Sequence, residues 1–393
     1  MLLGGTVLAL LMTAGPVAAQ AAQNWPARSA GHVHVCGTPA HGAAACNAIR
    51  ADPVSNNGTV QPNVTPSGYG PADLRSAYKL TATGTSSQTV AIVDAYDDPK
   101  AEADLATYRA QYGLPACTTA NGCFTKVGQT GSKTSLPRAD GGWTQEISLD
   151  LDMVSAICPG CKILLVEASS SSLTNLGTAV NTAARLGATE ISNSYGGSES
   201  PSDTAYDWKY YSHPGVAITA SSGDNGYGVE YPAASANVTA VGGTSLAKSS
   251  TTRGWSETAW NGAGSGCSAY DPKISGQSSV STGCAKRAVA DVSAVADPNT
   301  GVAVYDSYTY QGAAGWMVFG GTSVASPVIA SVYALAGGVS ASTTNSSLYS
   351  NANGLFDVTS GSNGTCTTKV LCTAGTGWDG PTGLGTPNGT AAF

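Results

Sequence analysis

Gly320-Gly321-Thr322-Ser323-Val324-Ala325-Ser326-Pro327 opens an apolar run that continues to Ala336. The spacing predicts a helix over residues 323–336. Small residues ahead of Ser323 let the backbone turn tightly and leave its hydroxyl at a helix N-terminus, where the dipole favours negative charge on or near that oxygen. A Ser-capped helix would account for the tetrapeptide alone. Working outward, strands and helices alternate. Thr89-Val90-Ala91-Ile92-Val93 and residues 162–167, 191–194 and 216–220 read as strands, and residues 99–112, 146–157, 173–186 and about 203–211 as helices. This order predicts an α/β domain of three layers, with a mostly parallel central sheet and helices on both faces.

Composition narrows the function classes. The chain has 393 residues, with 18 Lys plus Arg against 25 Asp plus Glu, and carries no basic block, so nucleic acid is not an expected partner. Its 49 glycines show no three-residue period, which excludes collagen, and a hydrophobic fraction of 42% argues against wholesale disorder. Residues 1–21 combine an apolar core with small residues at cleavage spacing and read as a secretory signal peptide. No other long uncharged apolar run follows, so no membrane span is expected. Residues 22–65 read as a short propeptide or loose N-terminal segment, and residues 66–393 as one domain.

Ten cysteines fall into five local couples, Cys36/Cys46, Cys117/Cys123, Cys158/Cys161, Cys267/Cys284 and Cys366/Cys372. An even count in a secreted chain reads as disulfides, with neighbour pairing the simplest connectivity. Cys158-Pro159-Gly160-Cys161 has the spacing of a redox motif, but no other feature of that class accompanies it.

A serine hydroxyl is a poor nucleophile until a base takes its proton. Only four histidines are present, and the one beyond residue 41 is His213. Glu146 and Asp150 lie four apart in a predicted helix, so both carboxylates project from one face. No Lys or Arg lies between residues 139 and 161 to compensate them. Crowded carboxylates share a proton with one pKa raised, which suits general base work in acid.

These motifs together resemble the sedolisin, or serine-carboxyl peptidase, family, over roughly residues 66–393. The family's Glu-x-x-x-Asp helix corresponds to Glu146 and Asp150, and its Gly-Thr-Ser-x-x-x-Pro element to residues 321–327. The resemblance implies a subtilisin-like fold and an acid-active endopeptidase. Ser323 would be the nucleophile, Glu146 the general base and acid, and Asp150 the group behind Glu146. Ser221-Ser222-Gly223-Asp224-Asn225-Gly226 could be a simple turn. Under the resemblance Asp224 is the oxyanion donor, a role that requires it to be protonated. Ser194, Tyr195 and Gly196 would form the strand that binds substrate backbone. One structural Ca2+ would be held by the Asp357 and Asp379 side chains and the carbonyls of Val358, Gly375 and Gly377.

Protein or peptide substrates, a monomer, a zymogen and an extracellular location follow as expectations. Family members commonly carry a large folded prodomain, whereas only residues 22–65 stand between signal and catalytic region here. Asp94 ends a strand similar to the one bearing the subtilisin Asp. Without a motif histidine it has no imidazole to orient, so it is placed outside the site. Two rival readings are a subtilisin-type protease using Asp94, His213 and Ser323, and a catalytically inactive secreted binding protein on the same scaffold.

Overall fold

The structure, a computed structural model, describes residues 31–52, 65–340 and 346–393; the signal-peptide reading of residues 1–21 lies outside them. The N-terminal part contributes three short strands, β1 (Gly31–His34), β2 (Ala45–Cys46) and β3 (Ile49–Asp52). Residues 31–52 are therefore not a loose lead-in. Strand β3 pairs with the strand that leads into Ser323, and β2 pairs with the expected substrate strand.

Helix α1 (Pro71–Ala77) precedes β4 (Thr89–Ala95), α2 (Ala101–Gln111), β5 (Phe124–Gly128), α3 (Gly141–Ile157), β6 (Lys162–Ala168), α4 (Leu173–Arg185) and β7 (Glu190–Asn193). Next come β8 (Tyr195–Ser198), a helical turn α5 (Asp203–Tyr206), β9 (Ala217–Ser221), β10 (Glu230–Tyr231), β11 (Thr239–Lys248) and β12 (Trp255–Ala259). A small pair, β13 (Gly266–Cys267) with β14 (Ala288–Val289), precedes β15 (Val292–Val295), β16 (Val302–Tyr310), β17 (Ala313–Gly320) and α6 (Thr322–Ala336).

The central sheet runs β12-β11-β9-β7-β4-β6-β5, with β15 also on β11. Every pairing in it is parallel except β11 with β12. The reason is legible in β4: Val90 and Ile92 join one core cluster with α2, α3 and α6 residues such as Leu105, Ile147 and Ala330. Ala91 and Val93 point the other way, into a cluster with Leu176, Ala179 and Val180 of α4. A strand buried on both faces needs an unbroken apolar run and helices on either side, which is the expected three-layer α/β architecture.

Helix α3 begins five residues earlier than its apolar period predicts. Asp140 caps it by accepting hydrogen bonds from Gly142 N (3.2 Å) and Trp143 N (3.3 Å), so two glycines are recruited into the first turn. Its side chains from Gly142 to Ile157 are all buried, because α1, α2, α6 and β16 surround the parts of it that the sheet leaves. Five disulfides join the neighbouring couples, Cys158–Cys161 among them, and no cysteine is free among the described residues. No helix among the described residues is long and apolar enough to cross a membrane.

Candidate active site

Ser323 stands one residue inside α6, just past a turn at Gly321 with φ +93°, a conformation that a side chain would strain. A Cβ at Gly321 would also overlap the Asn47 carbonyl and the Asp224 carboxyl, so glycine is required there on two counts. Pro327 lacks the N–H that would bond the Ser323 carbonyl in a helix. The Ser194 hydroxyl oxygen lies 3.3 Å from that carbonyl. The Ser326 hydroxyl, 2.9 Å from both Ser192 Oγ and Thr219 Oγ1, ties α6 to β7 and β9.

Helix α3 supplies Glu146 and Asp150, and three further groups come from the carboxyl ends of three adjacent parallel strands, the usual place for a site in an α/β sheet. Asp94 is the penultimate residue of β4, Ser194 follows β7, and Asp224 follows β9. Asp94, Glu146 and Asp150 each offer a carboxyl oxygen within 4.8 Å of the others, all fully buried. Asp94 therefore belongs to the cluster, contrary to its exclusion on the sequence: it needs no imidazole, because its neighbours are carboxyls from α3. The Ser194 hydroxyl donates to Asp150 Oδ1 at 2.8 Å. Both oxygens of Glu146 and of Asp94, and Asp150 Oδ2, have no hydrogen-bond partner of ordinary geometry.

Burial dominates the electrostatics here. It pushes the Glu146 carboxyl well above the usual range, with Asp150 and then Asp94 adding repulsion, while the Ser323 hydroxyl works in the opposite sense. Burial likewise raises Asp150 strongly, ahead of repulsion from Asp94. Asp94 is raised to about 8 by burial. Repulsion between Glu146 and Asp150, legible from their spacing, is thus the secondary cause. No cation among the described residues pairs with these three carboxyls, so they share protons rather than carry three charges.

Asp224 Oδ1 accepts from Thr322 N at 2.7 Å and from Thr322 Oγ1 at 2.8 Å, whereas its buried Oδ2 has no partner. Burial raises its pKa well above the ordinary value, although the Thr322 bonds pull it down. A carboxyl that keeps its proton at Oδ2 can donate a hydrogen bond toward Gly321.

His213 lies apart from this constellation. Its Nε2 is 2.9 Å from Asn181 Oδ1 and 3.1 Å from the Tyr210 carbonyl, beside α4, and burial lowers its pKa. Tyr195 is buried, with its hydroxyl donating to Asn193 Oδ1 at 2.7 Å, and the backbones of Tyr195 and Gly196 pair with Cys46 and Ala45. Three further residues at the site escaped the sequence reading: Asn47, whose carbonyl accepts from Ser323 N at 3.0 Å, and Ser221 and Glu230 around its side chain. Their roles depend on pairing across more than 170 positions, for which the sequence carries no local signal.

In the C-terminal loops Asp357 Oδ2 accepts from Gly377 N at 2.9 Å and Asp379 Oδ2 from Gly375 N at 3.1 Å. Asp379 is buried, which raises its pKa to about 7, and Asp357 is near enough to add repulsion. Among the described residues the Val358, Gly375 and Gly377 carbonyls accept no hydrogen bond. Two mutually repelling carboxylates amid unpaired carbonyls are a donor set that suits a hard, oxygen-preferring divalent cation.

Over residues 128–373, a span holding Glu146, Asp150, Asp224 and Ser323, the chain matches the Subtilase family (Peptidase_S8). It is 32% identical over 364 residues to kumamolisin of Bacillus sp. (strain MN-32), covering 82% of this chain and 63% of that protein. To sedolisin of Pseudomonas sp. (strain 101) it is 29% identical over 365 residues, covering 82% and 60%. The chain thus spans less than two thirds of the length of these curated relatives. The solved structure of Pseudomonas sedolisin complexed with two molecules of pseudo-iodotyrostatin superposes with a TM-score of 0.68 at 29% identity, covering 82% of this chain and 96% of that one. Sphericase shares the fold alone, with a TM-score of 0.54 at 19% identity and coverage of 82% and 98%. With its family match, its relatives and its carboxyl-flanked serine in agreement, the chain belongs to the subtilase family, on its sedolisin or serine-carboxyl peptidase branch.

Proposed function

We propose that residues 66–393 form an acid-active serine-carboxyl endopeptidase, made with a signal peptide, secreted as a precursor and acting extracellularly as a monomer on proteins or peptides. The observation that carries this reading is the Ser323 hydroxyl acting on Glu146 within a buried cluster of carboxyls, while the His213 ring bonds Asn181 and the Tyr210 carbonyl instead. Ser323 Oγ attacks the scissile carbonyl carbon, and Glu146 takes the hydroxyl proton and returns it to the leaving amine. Asp150 holds Glu146 through the shared proton and is itself fixed by Ser194. The oxyanion that forms is stabilised by the Ser323 backbone N–H and by the proton of Asp224 Oδ2. Ser194, Tyr195 and Gly196 align the substrate backbone as an added strand.

Calcium is the ion the C-terminal loops suit: the Asp357 and Asp379 carboxylates with the Val358, Gly375 and Gly377 carbonyls would hold it. When bound it neutralises two like charges and ties the loops together, with no part in peptide cleavage. Hydrolysis of casein by the wild type and by Ser323→Ala, at about pH 4 and about pH 7.5, tests the reading. Activity at acid pH only, abolished in the variant, is expected. Equal clearing by the variant would overturn it, and so would activity confined to neutral pH.

A further inference from the structure

The N-terminal hairpin lies in the cleft as a substrate would. Strand β2 pairs antiparallel with β8, Ala45 opposite Gly196 and Cys46 opposite Tyr195, so that β8 is the middle strand of a sheet completed by β10. Asn47 N donates to the Ser194 carbonyl at 3.1 Å, and the Asn47 carbonyl accepts from Ser323 N at 3.0 Å. The Ser323 hydroxyl donates to the same Ser194 carbonyl at 3.1 Å, which sets it beside Asn47. Asn47 O and Asp224 Oδ2 also border the same small volume, since a Cβ on Gly321 would meet both. The Asn47 carbonyl therefore occupies the position of a carbonyl about to be attacked, with one oxyanion donor already engaged.

The chain is held on both sides of that carbonyl. Ala48 O accepts from Val35 N at 3.2 Å, and Ile49, Arg50 and Ala51 pair with Gly320, Phe319 and Val318 of β17. Arg50 is buried and bonds Asp52 and, at 2.9 Å, Gln145 Oε1. On the other side, Cys46 is bridged to Cys36.

The Asn47 side chain enters a pocket of matched polarity. Its Nδ2 donates to Ser221 Oγ at 2.8 Å and to Glu230 Oε2 at 3.3 Å. Glu230 fills the slot between the substrate strand and the oxyanion loop, for a Cβ on either Gly196 or Gly223 would run into it. Ser221 is buried and Glu230 half-buried, so a donor facing them is favoured.

From this arrangement we infer that residues 44–48 are the enzyme's first substrate: Asn47–Ala48 is the bond Ser323 cuts in its own chain, and Ser221 with Glu230 selects asparagine on the acyl side of the cut. The inference rests on the peptidase reading above and adds to it a processing site and a side-chain preference. Ser323 Oγ forms an ester with the Asn47 carbonyl carbon as the bond to Ala48 N breaks, and the serine proton passes through Glu146 to the Ala48 amine. Water then hydrolyses the ester, leaving an Asn47 carboxyl group and free Ser323. Because Cys36 and Cys46 both precede the cut, the piece ending at Asn47 departs with its disulfide loop, while residues from Ala48 onward stay paired with β17. Until then the hairpin blocks the cleft.

The test uses the full chain, wild type and Ser323→Ala, purified at neutral pH and shifted to about pH 4. N-terminal sequencing and intact mass should show a new terminus at Ala48 in the wild type only. Asn47→Leu should slow that cut at least about tenfold, since a site built around a side-chain donor rejects an analogue lacking it. In case Asn47→Leu disturbs folding, the activated wild type is also given peptides matching residues 43–50 with Asn, Asp or Leu at the position of Asn47. Asparagine should be preferred by at least about tenfold, and Glu230→Leu should cut that margin to about threefold or less. Casein hydrolysis is measured in parallel. An enzyme that digests casein but matures at another bond, or shows no asparagine preference, overturns this inference and leaves the peptidase reading intact. A chain inert toward casein, the peptides and itself overturns that reading and the inference together.

Discussion

Thr322 donates both its backbone N–H and its hydroxyl to one oxygen of Asp224, at 2.7 and 2.8 Å, leaving the other oxygen buried without a partner. The carboxyl is thereby oriented, with its free oxygen toward Gly321 and the carbonyl that Ser323 N already binds. Only the protonated form can donate from that oxygen. Asp224→Ala should lower kcat by about 10²–10³, the usual consequence of losing an oxyanion donor. Asp224→Asn retains the Thr322 bonds and donates at every pH. It should keep activity within about tenfold of wild type at the acid optimum and move the alkaline limb of the kcat profile upward. An unmoved limb would mean that a different group sets it.

Glu146→Gln removes the base and should reduce kcat by about 10³ or more, measured on protein whose fold is verified by circular dichroism. His213→Ala should change kcat by less than about twofold, because the His213 ring bonds Asn181 and the Tyr210 carbonyl rather than the carboxyl cluster.

Asp94 adds repulsion that raises the Glu146 pKa. Because burial raises Asp94 to about 8, it is neutral at acid pH, and Asp94→Asn should leave the acid limb of kcat/KM in place. A limb that moves down would show that Asp94 is ionised beside the base in acid.

Stability should fall as pH rises from about 4 to about 8. Buried carboxyls far from the C-terminal loops are raised by burial: Asp98 to about 7, Asp94, Asp271 and Asp306 to about 8, and Glu190 to about 7. At about pH 4 the unfolded chain begins to release these protons while the folded chain keeps them. Above that pH the unfolded state binds fewer protons, so unfolding becomes easier until the folded groups titrate as well. Thermal melting of Ser323→Ala, which cannot digest itself, should give its highest Tm below about pH 5.

The same variant tests the calcium site. Melting at about pH 5 with calcium and with chelator should differ, because a bound ion stabilises by about 3–4 kcal/mol when it exceeds its Kd a few hundred-fold to a thousandfold. Equal Tm values, with no metal in the purified protein, would make Asp357 and Asp379 ordinary loop residues.

Local pattern accounts for what the sequence made legible. The apolar runs of β4 and β6 and the Gly-Thr-Ser-x-x-x-Pro element sit where their spacing puts them, and Glu146 and Asp150 share a helix face. The disulfides close between neighbouring cysteines. Other features depend on distant pairing. Residues 31–52 are polar and rich in small side chains, yet β3 is buried because β17 and Gln145 receive it. Helix α3 resembles a half-exposed acidic helix in one dimension and becomes fully buried only when α1, α2, α6 and β16 close over it. Asp94 joins the carboxyl cluster for the same reason, since α3 crosses the end of β4.

The measurement closest to the central claim is the pH dependence of kcat/KM on a peptide substrate with the activated enzyme. With carboxyls as base and oxyanion donor, the rate should peak at about pH 3–5 and disappear toward neutrality as Asp224 loses its proton. A profile that rises through about pH 7 to an alkaline plateau, as an imidazole base gives, would contradict the account.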